Sequence, residues 1–272
     1  MTLITIAIAA STLFLLAVVV SWILGWANIK FRVEVDPKIE EVLVALPGAN
    51  CGGCGYMGCS DYAVAIVTDN APVNKCPVGG QACATEVAEI MGIEAGELVQ
   101  SYAIVHCGSH YNDRKVLTEY RGEKICTAVN QVAGVQGCPF GCLGYGECVE
   151  ACKYDAIHVI DGLATVDYDK CIGCGACAKV CPRHIIAIVP FNEPKIPAVL
   201  CSNKDKGKDS RAVCKTSCIG CMACTKLVPQ IFIVEDDLSC TDTGAYKAEM
   251  YEDVLKAVEK CPTKCIRFVG KE

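Results

Sequence analysis

Cys171, Cys174, Cys177 and Cys181, in the stretch CIGCGACAKVCP, carry the strongest chemical signal in this sequence. Thiols two or three residues apart are badly placed to pair with one another as disulfides. They are well placed to converge on one small inorganic object. Steps of two intervening residues wrap a chain round one face of a cube of iron and sulfide. Gly173, Gly175 and Ala176 are small, so backbone N–H groups can approach the sulfurs and stabilise their negative charge. The chain has 23 cysteines in 272 residues, far too many for an ordinary intracellular enzyme. Their tight grouping favours metal clusters over a secreted disulfide scaffold.

The spacing C-x2-C-x2-C-x3-C-P is that of bacterial ferredoxins, in which the fourth cysteine of each run serves the other of two clusters. Cys181 is therefore expected to serve a different cluster from Cys171, Cys174 and Cys177. The partner run, CPFGCLGYGECVEAC, holds Cys138, Cys142, Cys148 and Cys152. Tyr145 stands where its middle ligand belongs, and Cys138 is the expected replacement, brought round by the Gly-rich loop. Exchange then gives two sets: Cys138, Cys142, Cys148 and Cys181, and Cys152, Cys171, Cys174 and Cys177. All-cysteine zinc sites, the competing reading, lack this exchange.

CIGCMACTKLVP repeats the run with Cys218, Cys221 and Cys224, but Val228 takes the fourth place. The second half of this module keeps only Cys261, in CPTKC, so one whole cluster is missing and the expected set is Cys218, Cys221, Cys224 and Cys261. The group in CGGCGYMGC is of another class: Cys51, Cys54 and Cys59 at C-x2-C-x4-C, with Cys76 in NKCPVGG as the preferred fourth ligand and Cys83 as its rival. These sets predict about four 4Fe-4S clusters. Cys83, Cys107, Cys126, Cys201, Cys214, Cys240 and Cys265 are left over. Buried packing is the plain reading for several of them, and a fifth cluster from Cys201, Cys214, Cys265 and Cys240 is the alternative.

Other elements must position these groups. Thr2 to Trp26 has no charged residue and is long enough to cross a bilayer core as a helix. Trp22 and Trp26 suit an interface, and Lys30 and Arg32 follow directly, which by the positive-inside rule puts the remainder in the cytoplasm. A cleaved signal peptide would need a basic start and a shorter apolar core. Ile39, Val42, Leu43 and Leu46 fall on one helical face, Ser60 to Val67 reads as a helix, and so does Glu86 to Gln100. From Cys138 onward the chain repeats: CVEACKYDAIHV, CAKVCPRHIIAI, CTKLVPQIFIV and CPTKCIRFV each end in a strand-like tail. The expected fold class is α+β: one transmembrane helix (1–26), a small, mostly helical 4Fe-4S domain (27–85), a connecting segment (86–135), a two-cluster ferredoxin-like domain (136–190) and a third ferredoxin-like module with one cluster (191–272).

The net charge of −6, with only 25 Lys and Arg, argues against nucleic-acid binding. GCLGYG lacks the βαβ setting of a dinucleotide site. There is no P-loop, and His106, His110, His158 and His184 are scattered. No catalytic residue stands out. Several clusters without a substrate pocket imply a membrane-tethered electron relay.

An N-terminal span followed by VDPKIEEVLVALPGANCGGCGYMGC, CPVGG and the ferredoxin run resembles the B subunit of the Rnf ion-translocating oxidoreductase. The resemblance covers essentially the whole chain. It implies electron transfer from soluble ferredoxin, through this subunit, to other membrane and peripheral subunits. NAD+ would be the terminal acceptor, with coupling to Na+ or H+ translocation across the bacterial inner membrane. NAD and flavin sites would lie on those partners. An anchor for a different redox system, such as one reducing an Fe–S transcription regulator, and a structural or sensing Fe–S protein are the alternatives.

Overall fold

The computed structural model describes residues 2–31 and 36–271; Arg32 lies outside them. Helix α1 (Thr2–Lys30) is apolar along most of its length; its 18-residue apolar window has mean hydropathy 2.5 and none of that window is buried against the rest of the protein. At ~1.5 Å per residue the helix spans about 40 Å, enough to cross a hydrocarbon core of ~30 Å. Its Ser11 and Thr12 hydroxyls donate to the carbonyls of Ile8 and Ala9, so these polar groups are satisfied within the helix.

A helical unit follows. Asp36 caps α2 (Pro37–Ala45) by accepting from the Lys38 N–H, with Pro37 at the first helical position. Val42 and Leu46 are buried against α3 (Cys59–Asp69) and α4 (Gly80–Met91), where Tyr62, Ile66 and Val87 complete a small core. Leu43 stays exposed. The helix expected from Glu86 to Gln100 starts earlier and stops at Gly92, which adopts φ 70°. There the Ile93 N–H bonds back to the Ala88 carbonyl and the chain reverses. Gln81 pins the reversed segment by bonding Gly96 and Leu98.

The rest is one motif built twice. In the first copy β1 (Ser101–Val105) opens, and β4 (Ile186–Pro190) closes by pairing antiparallel to it from Ser101↔Pro190 to Val105↔Ile186. Between them lie α5 (Cys126–Asn130), α6 (Glu147–Glu150), the hairpin β2 (Ile157–Ile160) and β3 (Leu163–Val166), and α7 (Ala176–Val180). The second copy runs β5 (Lys195–Val199), α8 (Gly207–Val213), α9 (Ala223–Leu227), hairpin β6 (Phe232–Glu235) and β7 (Leu238–Thr241), α10 (Tyr251–Lys260) and β8 (Ile266–Gly270), with β5 antiparallel to β8. All four strand-like repeat tails are strands. The stretch 101–135, unreadable from pattern alone, supplies β1, so the first module begins well before Cys138. The fold is α+β: an apolar N-terminal helix, a small helical unit and two copies of a module in which a terminal strand pair encloses a hairpin and short helices.

Candidate metal centres

Three loops share one local conformation. In each, a left-handed glycine (Gly144, Gly173, Gly220) and a second left-handed residue (Gly146, Gly175, Met222) flank a middle position and lead into a short helix. A side chain at Gly173 would strike the Ser101 backbone, and one at Gly144 the Gly162 backbone, so these glycines are sterically required. Each loop turns its cysteines toward a space of its own. The short helices α6 and α7 lie against each other; Cys148 of α6 and Cys181 just after α7 line one space, and Cys177 of α7 and Cys152 just after α6 line another.

Cys152, Cys171, Cys174 and Cys177 ring one small space walled by Ala103, Ile157, Val166 and Ile188. This is the set expected from spacing. The second set differs. Cys142, Cys148 and Cys181 ring a space with Cys126, not Cys138. The cause is a clamp: the Glu147 carboxylate accepts from the Thr127 N–H at 2.6 Å and its hydroxyl at 2.8 Å, holding Cys126 beside Cys148. Cys138 points elsewhere, because Arg183 donates to its carbonyl at 2.8 Å and Asn203 to its sulfur at 3.5 Å. It lines a separate space with Cys107, Cys201 and Cys214. No spacing rule marks Cys126 or Cys107. The one local hint is Glu147, which occupies a position filled by alanine (Ala176, Ala223) in the other two loops.

In the second module, Cys218, Cys221, Cys224 and Cys261 ring a fourth space, together with Cys265. Cys265 lies 3.6 Å from the Cys261 sulfur. As a thiol donor it pulls Cys261 down to about 4 and Cys218 down to about 6, while its own pKa is driven up. Cys240 is exposed and lines none of these spaces, and Cys265 lines the Cys218 space rather than that of Cys201 and Cys214, although its carbonyl accepts from the Leu200 N–H at 2.7 Å.

Around Cys51 the Asn50 side chain accepts from the Cys59 N–H at 2.8 Å, starting α3 and folding the loop on itself. Cys54, Cys59 and Cys76 pack against the core of the helical unit. Gly53 and Gly79 N–H groups point at the sulfurs of Cys51 and Cys76, each at 3.4 Å. Cys83 sits beside Cys76 but donates to the Ala45 carbonyl at 3.3 Å. Its hydrogen bond to Cys76, with those from Gly79 and Val78, lowers Cys76 to about 6 against the opposing effect of burial.

The donor sets suit cubane clusters. All 23 cysteines are free thiols. Among the described residues no three His, Cys, Asp or Glu side chains close on a single point as ligands of one metal ion do. The sulfurs instead stand around a space, with N–H groups directed at them, as at Cys152 from Ala156 and Cys218 from Ser239, both at 3.4 Å. Burial pushes Cys148 up to about 12 and Cys177 to about 11. Four thiolates in such apolar surroundings need a cationic partner, which iron supplies.

These spaces are neighbours in a row. Gly53 of the Cys51 loop packs so closely on the Cys174 loop that a Cβ would lie 3.2 Å from Cys174 Cα, and Lys179 ties the two by donating to the Cys51 carbonyl at 3.2 Å. The α6–α7 pair joins the Cys174 and Cys148 sets. The Cys142 N–H points at the Cys107 sulfur at 3.4 Å, and the Cys218 N–H at the Cys201 sulfur at 3.3 Å.

Three family models match parts of the chain. Residues 46–78 match a family model for an Fe–S cluster, residues 164–187 one for a 4Fe-4S binding domain, and residues 213–268 one for the 4Fe-4S single cluster domain of ferredoxin I. The first match holds Cys51, Cys54, Cys59 and Cys76 and stops short of Cys83. The B subunit of the Na(+)-translocating ferredoxin:NAD(+) oxidoreductase complex of Acetobacterium woodii is 46% identical over 239 residues, covering 87% of this chain and 70% of the relative. The B subunit of the proton-translocating ferredoxin:NAD(+) oxidoreductase complex of Clostridium ljungdahlii is 35% identical over 91% of this chain and 87% of its own length. The B subunit of the ion-translocating oxidoreductase complex of Methanosarcina acetivorans is 37% identical over 68% of this chain and 70% of its own. With its apolar N-terminal helix and Fe–S domains, the chain belongs to the B-subunit family of the Rnf-type ion-translocating oxidoreductase complexes and is an Fe–S electron-transfer subunit.

Proposed function

We propose that this chain takes electrons singly from reduced ferredoxin and delivers them to membrane partners of an Rnf-type complex. NAD+ is the terminal acceptor, and the flow is coupled to Na+ or H+ translocation. Helix α1 anchors it in the bacterial inner membrane with the remainder on the cytoplasmic side. The Cys51 set (Cys51, Cys54, Cys59, Cys76), the Cys174 set (Cys152, Cys171, Cys174, Cys177), the Cys148 set (Cys126, Cys142, Cys148, Cys181) and the Cys221 set (Cys218, Cys221, Cys224, Cys261) would each hold a 4Fe-4S cluster. When bound, such a cluster supplies reversible one-electron storage. The chain's own residues set the conditions: thiolates hold the iron, N–H groups directed at sulfur stabilise negative charge, and apolar walls keep water out.

The observation that carries this reading is contiguity. The Cys51 loop, tethered to α1 by a short segment, packs directly on the Cys174 loop. That supports the Cys51 set as the exit toward the membrane, and the exposure of Cys221 supports the second module as the place where electrons arrive. Redox titration of the purified full chain with reduced ferredoxin, followed by EPR, is the test. Several low-potential signals that ferredoxin reduces are expected. A single inert or zinc-filled set would overturn the relay and favour a structural role.

A further inference from the structure

The space lined by Cys107, Cys138, Cys201 and Cys214 lies outside the four sets, and none of the three family matches brings its cysteines together. From it we infer a fifth cluster site: these four cysteines hold a 4Fe-4S cluster that joins the two ferredoxin-like modules. The inference rests on the chain being a cluster carrier, as proposed above.

The four residues come from four distant stretches of chain, yet they line one interior. Two elements converge to bring them there. An isolated bridge pairs Arg114 with Cys214, and the Cys107 segment runs directly on from β1, while Cys201 follows β5. His106 Nδ1 bonds the Val199 carbonyl at 2.9 Å and the Ser202 hydroxyl donates to the His106 carbonyl at 2.9 Å, stitching the two stretches together.

Packing alone explains a buried cysteine. It does not explain the polar groups directed at these sulfurs. The Cys142 N–H points at Cys107 at 3.4 Å, and the N–H groups of Cys218 and Asn203 point at Cys201 at 3.3 and 3.5 Å. Asn203 is 1% exposed, and its amide nitrogen donates to the Cys138 sulfur at 3.5 Å while its oxygen is fixed by the Asp205 N–H at 2.7 Å. That orientation makes the amide an obligate donor toward sulfur. The Arg114 guanidinium, also buried, lines the same space and is held by the carbonyls of Cys142 and Gly162. Donors and a cation around four thiols match the surroundings that a negatively charged iron–thiolate cluster requires.

The position also matters. Cys107 touches the Cys142 backbone on one side, and Cys201 touches the Cys218 backbone on the other. The site fills the gap in the row between the Cys221 and Cys148 sets. Relay through it needs no bond making: one electron arrives, one leaves, and no proton moves.

Iron, zinc and acid-labile sulfide per full-length chain, measured on anaerobically prepared protein, test the site. With four irons per cubane, about twenty irons are expected in the natural chain. A Cys107→Ser/Cys214→Ser variant should lose about four irons and one EPR-active centre, whereas Cys240→Ser should lose none. About sixteen irons, unchanged in the double variant, would overturn this site while leaving the relay intact. One zinc per chain that the double variant loses would overturn it too. Iron far below that in the natural chain would defeat the relay reading itself. Should the double variant fail to fold, the iron and zinc count of the natural chain decides alone.

Discussion

The two ferredoxin-like modules share strand order, loop geometry and register, yet they solve the same packing problem with different materials. The first module folds around two rings of cysteine. The second has one ring, and where the first has Cys152 the repeat places Val228. Counting back from the Cys-Pro that closes each module, Cys177 corresponds to Ala257 and Cys174 to Val254. Val228, Val254 and Ala257 are at most 2% exposed and belong to one apolar cluster with Ile231 and Phe232. The five-residue α7 is matched by the ten-residue α10, which lies on α9 and supplies that apolar face. Hydrocarbon stands at the positions where the first module has its ring of thiols. The comparison teaches that a cluster in this fold is also core, and that a module can give it up only by growing a helix to fill the room.

Iron removal should separate the modules most sharply. Metal-binding free energy is folding free energy where the site is absent from the unfolded chain. Chelation under reducing conditions should therefore strip amide protection from β1–β4 and from the Cys51 unit, while α10 and the β5–β8 pair keep theirs. Hydrogen exchange with mass spectrometry reads this directly. Simultaneous loss in both modules would break the comparison.

Val228 sharpens it at a single position. Val228→Ala opens a cavity in an apolar core that no cluster fills. It should cost about 2 kcal/mol in unfolding free energy, with iron content unchanged. Val228→Cys restores the fourth thiol but not the three others, so iron content should again stay level, by elemental analysis. A gain of iron in Val228→Cys would mean that the second module retains a latent site.

The modules also differ in how much of them the sequence discloses. The Cys171 run reads directly because all its spacing is local, and so does the loss of a thiol at Val228, which the structure buries in an apolar core. Tyr145 announces a missing ligand, but its replacement does not follow from spacing. Cys138 is nearest in sequence, and the fold brings up Cys126 instead, because a hydrogen bond from Thr127 to Glu147 acts across twenty residues. Cys201 and Cys214 stand out as part of an alternative fifth group, but their neighbours Cys107 and Cys138 do not follow from spacing, for the same reason: the four meet only after β1 and β5 have found β4 and β8. The apolar spacing misplaces α4 because it continues past Gly92, and only the left-handed turn there ends the helix. Cys83 looks like a rival ligand in sequence, and Cys265 like a member of a fifth group. In the structure each is a thiol donor beside a ligand candidate, a distinction made by one hydrogen bond.

The smallest expected effect concerns the clamp itself. In the loops of Cys174 and Cys221 the middle cysteine is carried by the loop, and the residue after the second left-handed position is alanine (Ala176, Ala223). Only the loop lacking that cysteine has an acidic residue there, Glu147, and it is this residue that holds Cys126. Glu147→Ala converts the loop to the pattern of its relatives and leaves all 23 thiols in place. The two hydrogen bonds are partly solvent-exposed, so their loss should weaken retention of Cys126 by about 1 kcal/mol, roughly a fivefold faster release of iron from that set. Chelator kinetics should show one faster phase of about four irons, with the remaining phases unchanged. Uniform acceleration of every phase would show that Glu147 supports the module as a whole. No acceleration would show that Cys126 needs no clamp, and that packing alone brings it to the place Tyr145 leaves open.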